Sequence, residues 1–143
     1  MIRGLILCST FALVICLFED VYRPAEVHDK VLLSVGVKKE YLDKINESFR
    51  NMLKGLIKAY NEAERTGNKT IYKKENTRLR KENWDLAESF PDDQHDIIVV
   101  YITEILRAVR ERRDEQHALE SAKFWAEQTA ISYGVMTTAK PKN

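Results

Sequence analysis

The sequence predicts an all-α protein, with four to five helices in an antiparallel bundle after an N-terminal signal peptide. Three observations carry this. Apolar residues recur at spacings of three and four from Lys38 to about Arg65; a second long region, from Asp92 to Tyr133, contains neither Gly nor Pro; and Ile2 to Phe18 is almost unbroken apolar sequence behind Arg3.

The leader comes first in chain order. Gly4 to Phe18, with Ser9 and Thr10 inside it, falls short of the roughly twenty apolar residues that a helix needs to cross a bilayer, so no stable membrane anchor is expected. Arg3 ahead of it and Glu19 and Asp20 behind it orient the chain for export. Cleavage between Cys16 and Leu17 fits best, because Val14 and Cys16 place modest side chains just before that bond. The expected organisation is a signal peptide over residues 1–16, one helical domain over 17–134 and a flexible tail over 135–143, in a secreted, extracellular protein. Cys8 and Cys16 leave with the leader, and a domain of this length buries a core without disulfide bridges. The chain holds 23 basic and 22 acidic side chains; removing Arg3 leaves 22 against 22. A balanced chain has no long-range pull toward nucleic acid or anionic membrane, so neither is an expected partner.

Pro24 suits the start of a first helix, Ala25 to Val35, with Val27, Val31, Leu32 and Val35 on one side before Gly36. The second helix follows from the stripe Leu42, Ile45, Phe49, Met52, Leu56, Ala59 and Ala63. Leu53, Ile57 and Tyr60 widen that stripe toward two neighbours, and Gly67 ends the helix. The segment from Thr70 to Phe90 has a thin apolar face that includes Asn76 and Asn83, which reads as a peripheral, mostly solvated helix. Pro91 breaks it, and Asp92 and Asp93 supply first-turn negative charge to the next. The run from Ile97 to Ile102 would suit a strand, but Thr103 to Arg113 continues it with no turn signal, so helix is predicted.

No apolar residue interrupts Arg110 to His117, and the pattern resumes at Ala118, Leu119, Ala122, Trp125, Ala126 and Ala130. An unbroken helix from Asp92 to Tyr133 would reach about 60 Å, too long for one small domain. A break near Asp114, which can cap a fresh helix, is preferred; the alternative is a coiled coil that joins copies into a homo-oligomer.

Two tripeptides, at Asn46 and Asn68, match the acceptor pattern for N-linked glycosylation, and Asn68 falls in the predicted loop beside Gly67. Arg110-Glu111-Arg112-Arg113 resembles the basic tetrad cut by furin-like convertases, which makes Arg113 a candidate processing residue; a solvated charged helix face gives the same pattern. Asp92 and His95, and Asp114 and His117, show the offset used by dinuclear carboxylate bundles, but about 33 Å of helix would separate the two histidines. No metal, cofactor or catalytic constellation is predicted, and no enzyme; His28 is expected to be partly solvated.

Lys69, Lys73, Lys74, Arg78, Arg80 and Lys81 form a basic stretch suited to an acidic receptor, a glycosaminoglycan or a phosphate surface, or to the wet face of a helix. Glu82-Asn83-Trp84, with Ile98-Val99-Val100-Tyr101, Ile105 and Leu106, resembles a helix pair of the interferon-gamma-like helical cytokines. That resemblance covers a minor part of the chain, lacks the family's basic tail and carries over no residue or activity.

The function expected is therefore a small secreted helical protein that binds another macromolecule, most simply a protein, as a signal, effector or structural partner. Its contact candidates are Lys69 to Lys81 and Arg107 to His117. The alternative is an extracellular carrier of a lipid or other apolar ligand, in a pocket lined by Phe49, Met52, Leu56, Tyr101, Phe124 and Trp125.

Overall fold

The computed structural model describes residues 26–137, and every regular element among them is helical. Helix α1 spans Glu26–Ser34; a 3-10 turn, Lys39–Tyr41, leads into α2, Leu42–Thr66; α3 is Lys69–Glu88, α4 Asp92–Arg110 and α5 Glu115–Ser132. The expected cut between Cys16 and Leu17, the helix start at Pro24 and the last six tail positions lie outside the described residues. No described helix is long and apolar enough to cross a membrane.

Helices α2 to α5 pack in sequence order, each against the next, and the short connections between them make neighbours antiparallel. Helix α1 packs on α5 and also touches α2, where Asn46 Nδ2 donates to Asp29 Oδ1 at 2.6 Å. The apolar stripe of α2 is buried as its spacing requires, from Leu42 through Ile45, Phe49, Met52 and Leu56 to Ala59. Gly67 closes the helix at φ 69°, where a side chain would be strained.

The region after Asp92 is broken, as the length argument requires. Helix α4 ends at Arg110, Arg112 takes a left-handed φ of 55°, and Asp114 caps α5 by accepting from the His117 backbone N–H at 2.9 Å. The run from Ile97 to Ile102 is helical and central, with Ile97, Ile98 and Ile102 wholly buried.

Helix α5 turns a different face inward from the one its large residues suggest. Its seam is Ala118, Ala122, Ala126 and Ala130, one per turn and all fully buried, which lets its backbone approach α4 closely. Phe124 lies far around the helix from that row, and Trp125 sits at its edge. These rings are 52% and 50% exposed.

Helix α3 is thinly packed but not peripheral. Leu79, Asn83, Leu86 and Ala87 are buried, and Asn83 Nδ2 donates to the Val99 carbonyl at 3.2 Å and to Thr103 Oγ1 at 3.1 Å on α4. The polar position weakens the apolar stripe yet fixes how α3 meets its neighbour. Val135 and Met136, assigned to the tail by composition, lie half-buried against the core, and the Val135 N–H bonds to the Ala130 carbonyl at 2.9 Å. Val135 presses on Gly36, whose φ is 92°: a Cβ there would come within 2.5 Å of Val135 Cγ1.

Candidate functional site

Of the two segments nominated as contact surfaces, 107–117 meets the end of α2 through Arg112 and Tyr60, and 69–81 meets the same tyrosine through Tyr72, at one end of the bundle. There the α2–α3 connection and the α4–α5 turn lie side by side. Arg112 reaches from that turn across the Tyr60 ring, 5.0 Å from its centroid; its Nη2 donates to the Tyr60 hydroxyl and lies 3.3 Å from Glu64 Oε1. Tyr60 and Tyr72 meet edge to face at 5.8 Å. Beside them a cleft of about 430 Å³ is lined by the two tyrosines, Ala63 and Gly67, by Lys69 and Lys73, and by Glu64, the carboxylate that pairs with Arg112. Aromatic floor and cationic rim suit an anionic group on an apolar stem.

The basic stretch of α3 is divided between two rows. Spacings of four and seven put Lys69, Lys73 and Arg80 in one, and spacings of four and three put Lys74, Arg78 and Lys81 in the other. All six are exposed. In the second row Arg78 bridges Glu75 at 2.5 Å and Glu82 at 2.7 Å, and Lys81 pairs with Asp85 at 2.6 Å. Two of those charges are thus already answered within the helix. Gly55 of α2 makes room for the Glu75–Arg78 pair, whose atoms lie 2.7 and 2.8 Å from where its Cβ would be. The first row, together with Lys74, therefore offers the unanswered charge.

Arg113 is exposed in the α4–α5 turn, with Nη2 2.7 Å from Glu111 Oε2 and Nη1 3.1 Å from His117 Nε2. The tetrad leaves the helix before its last residue. Asn68 is exposed as the cap of α3, its Oδ1 accepting from the Thr70 N–H at 3.0 Å. Asn46 is only 8% exposed beneath α1 and bonded to Asp29, so the folded chain presents Asn68 and buries Asn46.

The six residues proposed for an apolar pocket do not share a surface. Phe49, Met52, Leu56 and Tyr101 belong to the buried core, whereas Phe124 and Trp125 face solvent because the alanine row takes the inner side of α5. The rings of Phe124 and Trp125 pack on each other at 5.1 Å.

His28 is likewise not solvated. It is buried, edge to face with Phe49 at 4.8 Å, and its Nδ1 lies 2.5 Å from the Tyr101 hydroxyl, while Nε2 has no partner. Burial pulls the ring's pKa down from 6.5 to about 4 and pushes the Tyr101 phenol up, so a neutral imidazole and an un-ionised phenol share this hydrogen bond. Gln94, which no sequence pattern singled out, is buried at the start of α4; it accepts from the Lys38 N–H at 3.0 Å and donates to the Gly36 carbonyl at 3.1 Å, tying the α1–α2 connection down. Neither pairing has a local signature, because its partners are more than fifty positions apart.

No group of three or more His, Cys, Asp or Glu side chains among the described residues is placed to hold a metal ion. No family model matches the chain, and no curated protein or solved structure matches it either.

Proposed function

We propose that this protein is a small extracellular binding protein that holds an acidic segment of another macromolecule, without catalysis, at the end of the bundle formed by the α2–α3 connection and the α4–α5 turn. The observation that carries the proposal is that Tyr60 of α2 takes Arg112 on its ring and Tyr72 at its edge, and so stands between two contact segments that are remote in sequence. Lys69 and Lys73 stand on the same cleft with no opposing carboxylate in their own row of α3. The tyrosine floor supplies rigid apolar area, and the rim supplies charge that steers an acidic partner into place. The apolar leader supports an extracellular setting. The carrier reading draws no support from the core, since its six lining residues divide between interior and surface.

A Glu- and Tyr-rich peptide titrated into the full chain tests the reading. Binding should weaken as salt rises and fall about tenfold in the Lys69→Glu, Lys73→Glu variant, with a further loss on Arg112→Glu. Affinity unchanged by charge reversal at both places defeats it.

A further inference from the structure

The opposite end of the bundle, where α3 finishes, α4 begins and the chain leaves α5, holds a second cleft of about 550 Å³. Its chemistry is the reverse of the first. Two large aromatic side chains stand at its mouth half-exposed, Trp84 at 49% and Tyr133 at 45%, and each is fixed by its polar end. Trp84 Nε1 donates to Glu88 Oε1 at 2.6 Å, and its ring meets His95 edge to face at 4.6 Å. The Tyr133 hydroxyl donates to Asp96 Oδ2, and the other oxygen of that carboxylate lies 2.7 Å from His95 Nδ1. Core packing does not explain two exposed rings held this firmly around an open space. Preorganised aromatic faces of this kind are what a ligand requires and what a solvated surface does not.

The charge around the rings is one-sided. Glu88, Asp92 and Asp96 line the cleft, and among the described residues no lysine or arginine does. The hydrogen bonds from Tyr133 and His95 hold the Asp96 carboxyl below its usual range, so it stays ionised. Lys44 lies over the ring of Phe90, 5.4 Å from its centroid, and shows an ammonium seated on one of the aromatic residues that line the cleft. The donor set is not arranged for a metal ion. Aromatic faces beside carboxylates select a different guest, an organic cation that gains from ring and charge together.

We infer that the cleft bounded by Trp84, Tyr133, Asp92 and Asp96 is a binding site for an alkylammonium or guanidinium group. The group is either a free small amine or a lysine or arginine side chain of a basic peptide. This site is separate from the lysine-rimmed cleft, which lies at the other end of α3, about 25 Å away by helix length.

Trp84 provides the readout once Trp125→Phe removes the other tryptophan of the chain. The full chain carrying that change is titrated with tetramethylammonium, with N-acetyl-arginine amide and with an arginine-rich peptide, against sodium chloride at matched ionic strength. The cationic probes should give a saturable change in fluorescence that sodium does not. Glu88→Gln keeps an oxygen for the indole N–H, and Asp92→Asn lies in the exposed first turn of α4; the two together should weaken binding at least tenfold while helicity by circular dichroism is unchanged. If the pair unfolds the chain, Asp92→Asn alone should weaken binding about threefold. Lys69→Glu with Lys73→Glu should leave these titrations unaltered, so failure here and failure of the acidic-partner reading are distinguishable. A peptide at least tenfold tighter than the single amide assigns the site to a basic segment of a partner, and equal affinities assign it to a small amine. A response no greater than that to sodium, or full affinity in the carboxamide variants, overturns the inference.

Discussion

The polar contacts inside the bundle and those at its two ends use similar side chains and do different work. Under α1, His28 and Tyr101 are both sealed from water, as is Gln94 beside Gly36 and Lys38. Each of these groups loses hydration on folding and recovers hydrogen bonds only from its few protein partners, so each contact dictates which segments lie together. At the ends, Arg112 over Tyr60 and Tyr133 on Asp96 lie at the surface, where such contacts orient side chains while adding little to stability. Buried polarity therefore specifies the fold, while exposed polarity displays chemistry on it.

The sharpest way to break this contrast is to remove the wall behind the buried histidine. Phe49→Ala should cost about 3–5 kcal/mol in urea unfolding, because it opens a cavity where Phe49 meets His28. A loss below about 1 kcal/mol would show that the α1 contact is not a packed one.

Acid should separate the two regions next. His28 titrates near 6.5 when unfolded and near 4 when folded, so between these values the unfolded chain binds the proton and the folded chain does not. Stability from this group is complete above about pH 6.5 and declines as pH falls toward 4, by about 3 kcal/mol in all. Urea midpoints measured from pH 7 to 4.5 should decrease, and His28→Phe should flatten that part of the profile. An unchanged slope in the variant would assign the acid sensitivity elsewhere.

Two smaller effects test the exposed side. Asp114→Ala removes the cap of α5 and should cost about 1 kcal/mol, read by thermal or urea unfolding. Lys69→Glu with Lys73→Glu should alter stability by no more than about 0.5 kcal/mol while reducing affinity for an acidic peptide. A large stability change from that pair would mean that the lysines belong to the scaffold.

Much of the fold was legible because local chemistry was sufficient. The stripe from Leu42 to Ala59, the stop at Gly67, the break at Pro91 and the cap at Asp114 each depend on residues within a turn or two of one another. The site was legible in part: Lys69 and Lys73 stood out by charge, whereas Tyr60 counted only as apolar flank, since nothing in its neighbourhood announces a cleft. The reading of α3 as peripheral failed at Asn83, because the acceptors of its Nδ2 lie on α4, beyond any local pattern, while its Oδ1 is buried without a partner. Phe124 and Trp125 misled for a related reason. Large apolar rings raise the expectation of burial, yet four alanines spaced by one turn allow a closer helix pairing.

By itself the sequence determined that the described region is helical, where most of its helices start and stop, and which row of α2 seeks the interior, because hydrophobic period, capping and backbone freedom act within a few residues. Only the tertiary structure decided that α5 packs through its alanines, that His28 finds Tyr101, and that Arg112 crosses to Tyr60 while Tyr133 joins Asp96 at the far end. Those outcomes depend on how closely separate helices approach, and that distance is set by the side chains of both partners at once.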